Sequence, residues 1–131
     1  MAQDLVLLED TPGRVRAVER WLEGRSELNL VHRSKAKDLI AWLEEHLANA
    51  VLISLDYHLG GAGPGAGSGF DVALWLAKQE PSCPVIIHTS DGTAGGYLAD
   101  ALDAGGWKTV SSAFSEESWG PLAAKLLDLN S

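Results

Sequence analysis

Three short segments of this chain end in side chains able to hold a cation or a phosphate: Leu7-Leu8-Glu9-Asp10, Ile53-Ser54-Leu55-Asp56-Tyr57-His58 and Ile87-His88-Thr89-Ser90. Each begins as an apolar run and turns polar at its carboxyl end. If the runs are neighbouring parallel strands, their polar ends open into one crevice, the place where open α/β sheets bind ligands. Glu9, Asp10 and Asp56 then share that crevice. Crowded carboxylates raise one another's pKa unless a cation compensates, and hard oxygen ligands with room for water suit Mg2+ or Mn2+. A cation held there can coordinate a phosphodiester oxygen and a water, lower the pKa of that water and offset charge in an in-line attack. The blander reading of Glu9 and Asp10 is that they favour the positive end of the helix that follows.

The neighbouring residues extend this chemistry. Thr89 and Ser90 supply two hydroxyls and nearby N–H groups that can grip phosphate oxygens. His58, just beyond Asp56, can move protons because imidazole titrates near neutral pH; its alternative is a solvated loop histidine. His88 is either a second proton carrier or a side chain turned into the sheet, since alternation sets it opposite Thr89. Arg14, within a turn of the first helix's start, can fix a phosphate or lie solvated.

These placements require alternating strands and helices, and the apolar runs alternate with helical patterns in that way. Strands are predicted over Leu5–Leu8, Glu27–Val31, Val51–Leu55, Pro84–His88 and Lys108–Ser112. The second is the most polar, as expected at an edge; the third is apolar on both faces, as expected at the centre. Helices are predicted from Thr11-Pro12 to about Gly24, from Lys35 to Leu47 with Ser34 as cap, from Phe70 to Gln79, from Ala94 to Ala104, and after Ser115. The result is one doubly wound α/β domain over residues 1–131, a five-stranded parallel sheet of order 2-1-3-4-5 with helices on both faces. The segment Gly60–Gly69, "GGAGPGAGSG", lacks the Gly-Lys-Ser/Thr ending of a phosphate loop and is expected to be a mobile surface insertion.

Composition narrows the partners. With 131 residues, 46% apolar and 21% charged, the chain is long enough for a core of its own. Eighteen acids against ten bases leave a net charge of −8, which opposes binding to duplex nucleic acid or an anionic membrane. The one cysteine, Cys83, and the acidic N-terminus without a basic region point to a cytoplasmic protein.

In order along the chain, Glu9-Asp10, Asp56, Thr89 and the run from Gly105 to Phe114 resemble the receiver domain of two-component response regulators. That resemblance implies a receiver-like, flavodoxin-like fold. It also implies an acid pair holding Mg2+, phosphoryl transfer to Asp56 from a histidine kinase or other phosphodonor, and Thr89 sensing the phosphate. Asp56 could then attack phosphorus directly and form an acyl phosphate. In "TVSSAF", Ser112 and Ala113 stand where that family carries a phosphate-contacting lysine and then a proline, and Lys108 is four residues early. "LED" followed by Arg14, "LISLDYHLG", "PVIIHTSD" and "GGW" resemble more closely the cyclic-phosphate processing receiver-like family, over Leu5 to Trp107. This second resemblance implies metal-dependent hydrolysis of a small cyclic phosphate. Two departures stand out: Tyr57-His58 where that family often has His-Asp, and Thr89-Ser90-Asp91 where Thr/Ser-Ser-Asn is usual. Three functions remain open: a phosphoesterase using Asp56, His58 and His88, a phosphoacceptor module, and a binding module without turnover.

Overall fold

The computed structural model describes residues 3–128. Five parallel strands form one sheet: β1 (Gln3–Leu8), β2 (Leu28–Arg33), β3 (Ala50–Leu55), β4 (Val85–Ile87) and β5 (Thr109–Ser111), in the order β2-β1-β3-β4-β5. The connecting helices are α1 (Pro12–Leu22), α2 (Ala36–His46), α3 (Gly69–Ala77), α4 (Gly92–Ala104) and α5 (Glu116–Leu126). This is the predicted order. Its cause is visible strand by strand: β1 buries Leu5–Leu8 and β3 every residue but Val51, whereas β2, at the edge, buries Val31 alone.

Alternation along the strands makes two cores. Val6, Leu8, Ile53, Leu55, Val85 and Ile87 face α2, α3 and α4, while Leu5, Leu7, Leu52 and Ile86 face α1 and α5 with Val18, Trp119 and Ala123. The register aligns Leu8 with Leu55 and Leu55 with Ile87. The next residue on each strand is therefore Glu9, Asp56 or His88, side by side in one row. Period two then aims all three toward the α1/α5 side.

Several local signals act differently from expectation. Thr11 and Pro12 do open α1, but the Thr11 side chain makes no cap; the amides of Asp10 and Thr11 donate instead to Glu9 Oε2, at 3.1 and 3.0 Å. Ser34 was the predicted cap of α2, yet that helix starts at Ala36 after Lys35, with no side-chain cap. The Ala36 amide is satisfied by the carbonyl of Ala66, 2.8 Å away. α3 begins in a full capping box formed by Ser68 and Asp71.

The glycine segment makes specific contacts with the rest of the domain. Gly60–Ala62 forms a 3-10 turn, the Gly61 amide donates to Asp10 Oδ2 at 2.6 Å, and Ala66 is buried against the core. Small residues make this possible, because backbone can approach where side chains would collide. Gly69 is the clearest case: a Cβ there would run into the carbonyl oxygen of Asp56 and crowd Tyr57 Cα. Gly69→Ala is expected to destabilise the fold by about 2 kcal/mol or more through backbone displacement, read as a lowered urea midpoint.

Cys83 is partly buried and burial pushes its thiol up to about 12, so it stays protonated. No helix among the described residues is long and apolar enough to cross a membrane.

Candidate functional site

The row at the strand ends becomes a cluster. One ligand atom each from Glu9, Asp56 and His88 lie within 4.8 Å of one another, and all three residues are buried. Arg14, on the first turn of α1, reaches over the row: its Nη1 is 3.6 Å from Glu9 Oε1 and 3.5 Å from Asp56 Oδ2. Phe114, in the segment between β5 and α5, lies 5.8 Å beneath the Arg14 guanidinium and 5.6 Å from the His88 ring. The guanidinium is thus the cation of this pocket, in the neighbourhood where a lysine after β5 was lacking.

His88 anchors a buried polar chain. Its Nε2 is 2.9 Å from Glu9 Oε1, its Nδ1 is 2.6 Å from Ser54 Oγ, and Trp119 Nε1 donates to that same Oγ at 2.9 Å. Indole can only donate and an ionised carboxylate can only accept. Ser54 Oγ therefore accepts from Trp119 and shares a hydrogen bond with Nδ1, while Nε2–H donates to Glu9. In this chain each of these buried side-chain polar atoms has a partner. Ser54, His88 and Glu9 have the residue types of a nucleophilic triad. Ser54 is fully buried beneath Trp119, however, and the chain orients Glu9 rather than attacking a substrate.

The two carboxylates respond oppositely to the site. Burial disfavours the charge on Glu9, but hydrogen bonding and electrostatic attraction from His88, the Thr11 amide and the Arg14 guanidinium outweigh it and hold the carboxyl at about 2. Burial, then the charge of Glu9, raises the Asp56 carboxyl above its ordinary value despite electrostatic attraction from His88 and Arg14 and the Tyr57 amide, which donates to Oδ1 at 2.8 Å. Repulsion between two acids in one crevice is the predicted effect.

Other predicted residues are distributed differently. The Asp10 carboxylate turns to Gly61, so His88 rather than Asp10 completes the three-residue group with Glu9 and Asp56. Parity explains this: Glu9 continues the face of Leu5 and Leu7, and Asp10 falls on the other. His58 is exposed and pairs with Asp91, Nε2 to Oδ2 at 2.9 Å, while its backbone bridges Ser68. His58→Ala is accordingly expected to shift stability by no more than about 0.5 kcal/mol, checked by chemical denaturation. Thr89 is buried and its hydroxyl accepts from the Asp91 amide at 3.3 Å; Ser90 is exposed. Ser112 donates to the Ala113 carbonyl at 3.0 Å. Ser54, Phe114 and Trp119 are the site residues that sequence reasoning missed. The available signal was Ser54, a lone polar residue in an apolar strand, two positions before Asp56 and on its face.

A cavity of about 910 Å³ lies at the opposite end of the sheet beside Cys83, Trp107 and Lys108, and holds none of the acidic cluster. Chemistry and burial of charge place the site at the carboxyl ends instead.

Solved structures share the fold. A receiver domain of an HD domain-containing protein from Pseudomonas fluorescens is 13% identical with a TM-score of 0.72, covering 98% of this chain and 96% of its own. A response regulator receiver protein from Burkholderia phymatum is 18% identical with a TM-score of 0.63, at 98% coverage of each chain. The receiver domain of RcsB from Salmonella enterica, determined with the phosphomimetic BeF3−, is 18% identical with a TM-score of 0.67, covering 98% of this chain and 89% of its own. No curated protein matches the chain. The family profile described as "Cyclic-phosphate processing Receiver domain" matches residues 5–104, from the first buried residue of β1 to the end of α4 and through all three members of the acidic row. The chain belongs to the cyclic-phosphate processing receiver domain family.

Proposed function

We propose that the chain hydrolyses a small cyclic phosphodiester in this pocket with a bound Mg2+ or Mn2+. One observation carries the reading: two buried carboxylates, one of them with a raised pKa, converge beside a single guanidinium within 3.6 Å of both. That donor set fits a divalent ion, because two buried carboxylates converge there and their oxygens are hard ligands. Glu9 and Asp56 would hold the ion, with Asp10 close by in sequence. When bound, the ion would supply an acidified water and charge neutralisation at the phosphate.

The chain's own groups do the rest. Arg14 orients the phosphate by facing its equatorial oxygens. His88 keeps Glu9 ionised and aimed, which makes it a positioning residue. Thr89 can donate its hydroxyl hydrogen to a phosphate oxygen, since it accepts from Asp91. Water adds to phosphorus, one ring P–O bond breaks, and the freed alkoxide takes a proton to leave a phosphomonoester.

A second reading has its own observation. Asp56 Oδ1 is occupied by the Tyr57 amide, whereas Oδ2 points to Arg14, where an incoming phosphoryl group would sit. Asp56 would then be phosphorylated by a histidine kinase or small phosphodonor. Incubating the protein with Mn2+ and a panel of cyclic phosphates separates the two. Chelator-sensitive release of monoester supports hydrolysis. Stoichiometric, acid-labile labelling by acetyl phosphate without monoester release replaces it with the phosphoacceptor reading, and neither result leaves only a binding module.

A further inference from the structure

Beside the acidic row, α1 and α5 enclose a second cavity of about 300 Å³, lined by Ala17, Arg20, Trp21, Phe114, Trp119 and Gly120. Three of its six walls are aromatic. Trp21 and Trp119 meet edge to face at 5.4 Å, and Phe114 lies 6.0 Å from Trp119. Phe114 is the shared wall, because the same ring contacts Arg14 and His88. Arg14, Ala17 and Trp21 also follow one another at helical spacing along one face of α1. The cavity thus starts at Ala17, one helical turn from Arg14, and extends toward Trp21, about 10 Å from Arg14 along the helix axis.

We propose that this cavity is the subsite for the base of a nucleoside cyclic phosphate, a deepening that rests on the phosphoesterase reading above. Its volume is at the lower end of small-molecule sites, room for one ring system. Flat aromatic walls favour a planar heterocycle over a polyol or glycerol moiety, whose hydroxyls would lose water against Trp21 and Phe114, while Arg20 at the rim can donate to a base's ring nitrogen or carbonyl. The net charge of −8 disfavours a polynucleotide and leaves a mononucleotide as the fitting size. Glycine at position 120 is part of the construction: a Cβ there would sit 2.7 Å from Trp21 Cδ1 and push the ring out of its place.

The test compares, in the presence of Mn2+, a nucleoside 2′,3′-cyclic monophosphate with ethylene cyclic phosphate, which has the same reacting group and no base. Base-aromatic stacking predicts at least about a tenfold lower KM for the nucleoside compound. Trp21→Leu and, from another wall, the cavity-filling Ala17→Leu are each expected to remove that advantage and to leave kcat/KM for ethylene cyclic phosphate within about twofold. Thermal melts identify any variant that has unfolded, and the two variants guard against one failing. Equal KM for both compounds in the wild type, or an advantage that survives in folded Trp21→Leu and Ala17→Leu, overturns the subsite alone. Failure to turn over either compound overturns the phosphoesterase reading and the subsite with it.

Discussion

Asp56→Asn is expected to lower turnover of any cyclic phosphate by about 10²-fold or more while raising the thermal midpoint of the metal-free protein by a few degrees. Both effects come from one carboxylate. The amide keeps the shape and the acceptor for the Tyr57 N–H, but removes a buried anion that burial and the charge of Glu9 disfavour. A gain of about 1 kcal/mol is typical where a functional group is held against its stability preference. The sign with pH follows. The Asp56 carboxyl is raised in the fold, so its penalty is fully present above that raised value and fades as pH falls through it. The stabilisation by asparagine is therefore largest near neutral pH and shrinks in acid. Glu9 behaves in the opposite way: held at about 2 against 4.5, it contributes stability above the unfolded value and loses it as pH falls toward 2. Calorimetric melts of wild type and Asp56→Asn across pH 2.5–7 would show converging midpoints on the acid side; parallel curves would contradict the assignment.

Trp119→Ala is expected to cost about 3–5 kcal/mol, a large part of the total stability of a domain this size. The indole is the largest fully buried side chain and fills the α1/α5 core against Leu5, Leu7 and Val18. The substitution leaves a cavity and also strips Ser54 of its donor inside the sheet. Trp119→Phe separates the two contributions: it keeps most of the packing and loses the hydrogen bond, so about 1–2 kcal/mol is expected. Urea denaturation of both variants measures the difference. If phenylalanine cost as much as alanine, the polar chain from α5 to Glu9 would be the dominant contribution rather than packing.

How far the sequence could carry this reading depends on the range of the interaction. Alternation of apolar runs with helical periods is local, and it specified five strands and their order because β1 and β3 are apolar enough to demand burial on both faces. Asp56 at the tip of the central strand was legible for the same reason. Side-chain direction at the strand ends was less so: Glu9 and Asp10 look equivalent as a pair, yet only Glu9 has the parity of Leu5 and Leu7. His58 seemed close to the acids in sequence, but the backbone bridge to Ser68 turns it outward to Asp91. The glycine segment was read as loose from composition alone, since its holds on Asp10 and Ala36 involve backbone groups that carry no sequence signature. Ser54 and Trp119 are 65 positions apart, and no local pattern joins them. Two aromatics close in sequence also diverge: Tyr97 is 54% exposed, whereas Trp107 is 3% exposed and donates its indole N–H to the Leu76 carbonyl.

Arg14 rests between two carboxylates, and this sets an order of arrival. An anion diffusing to the empty pocket meets a guanidinium already engaged on both sides, with two fixed negative charges behind it. Were those charges neutralised from elsewhere, the same guanidinium would be free to meet an incoming anion. Association should therefore be sequential, cation before anion, and the pocket would reject free phosphate in a cell short of divalent ions.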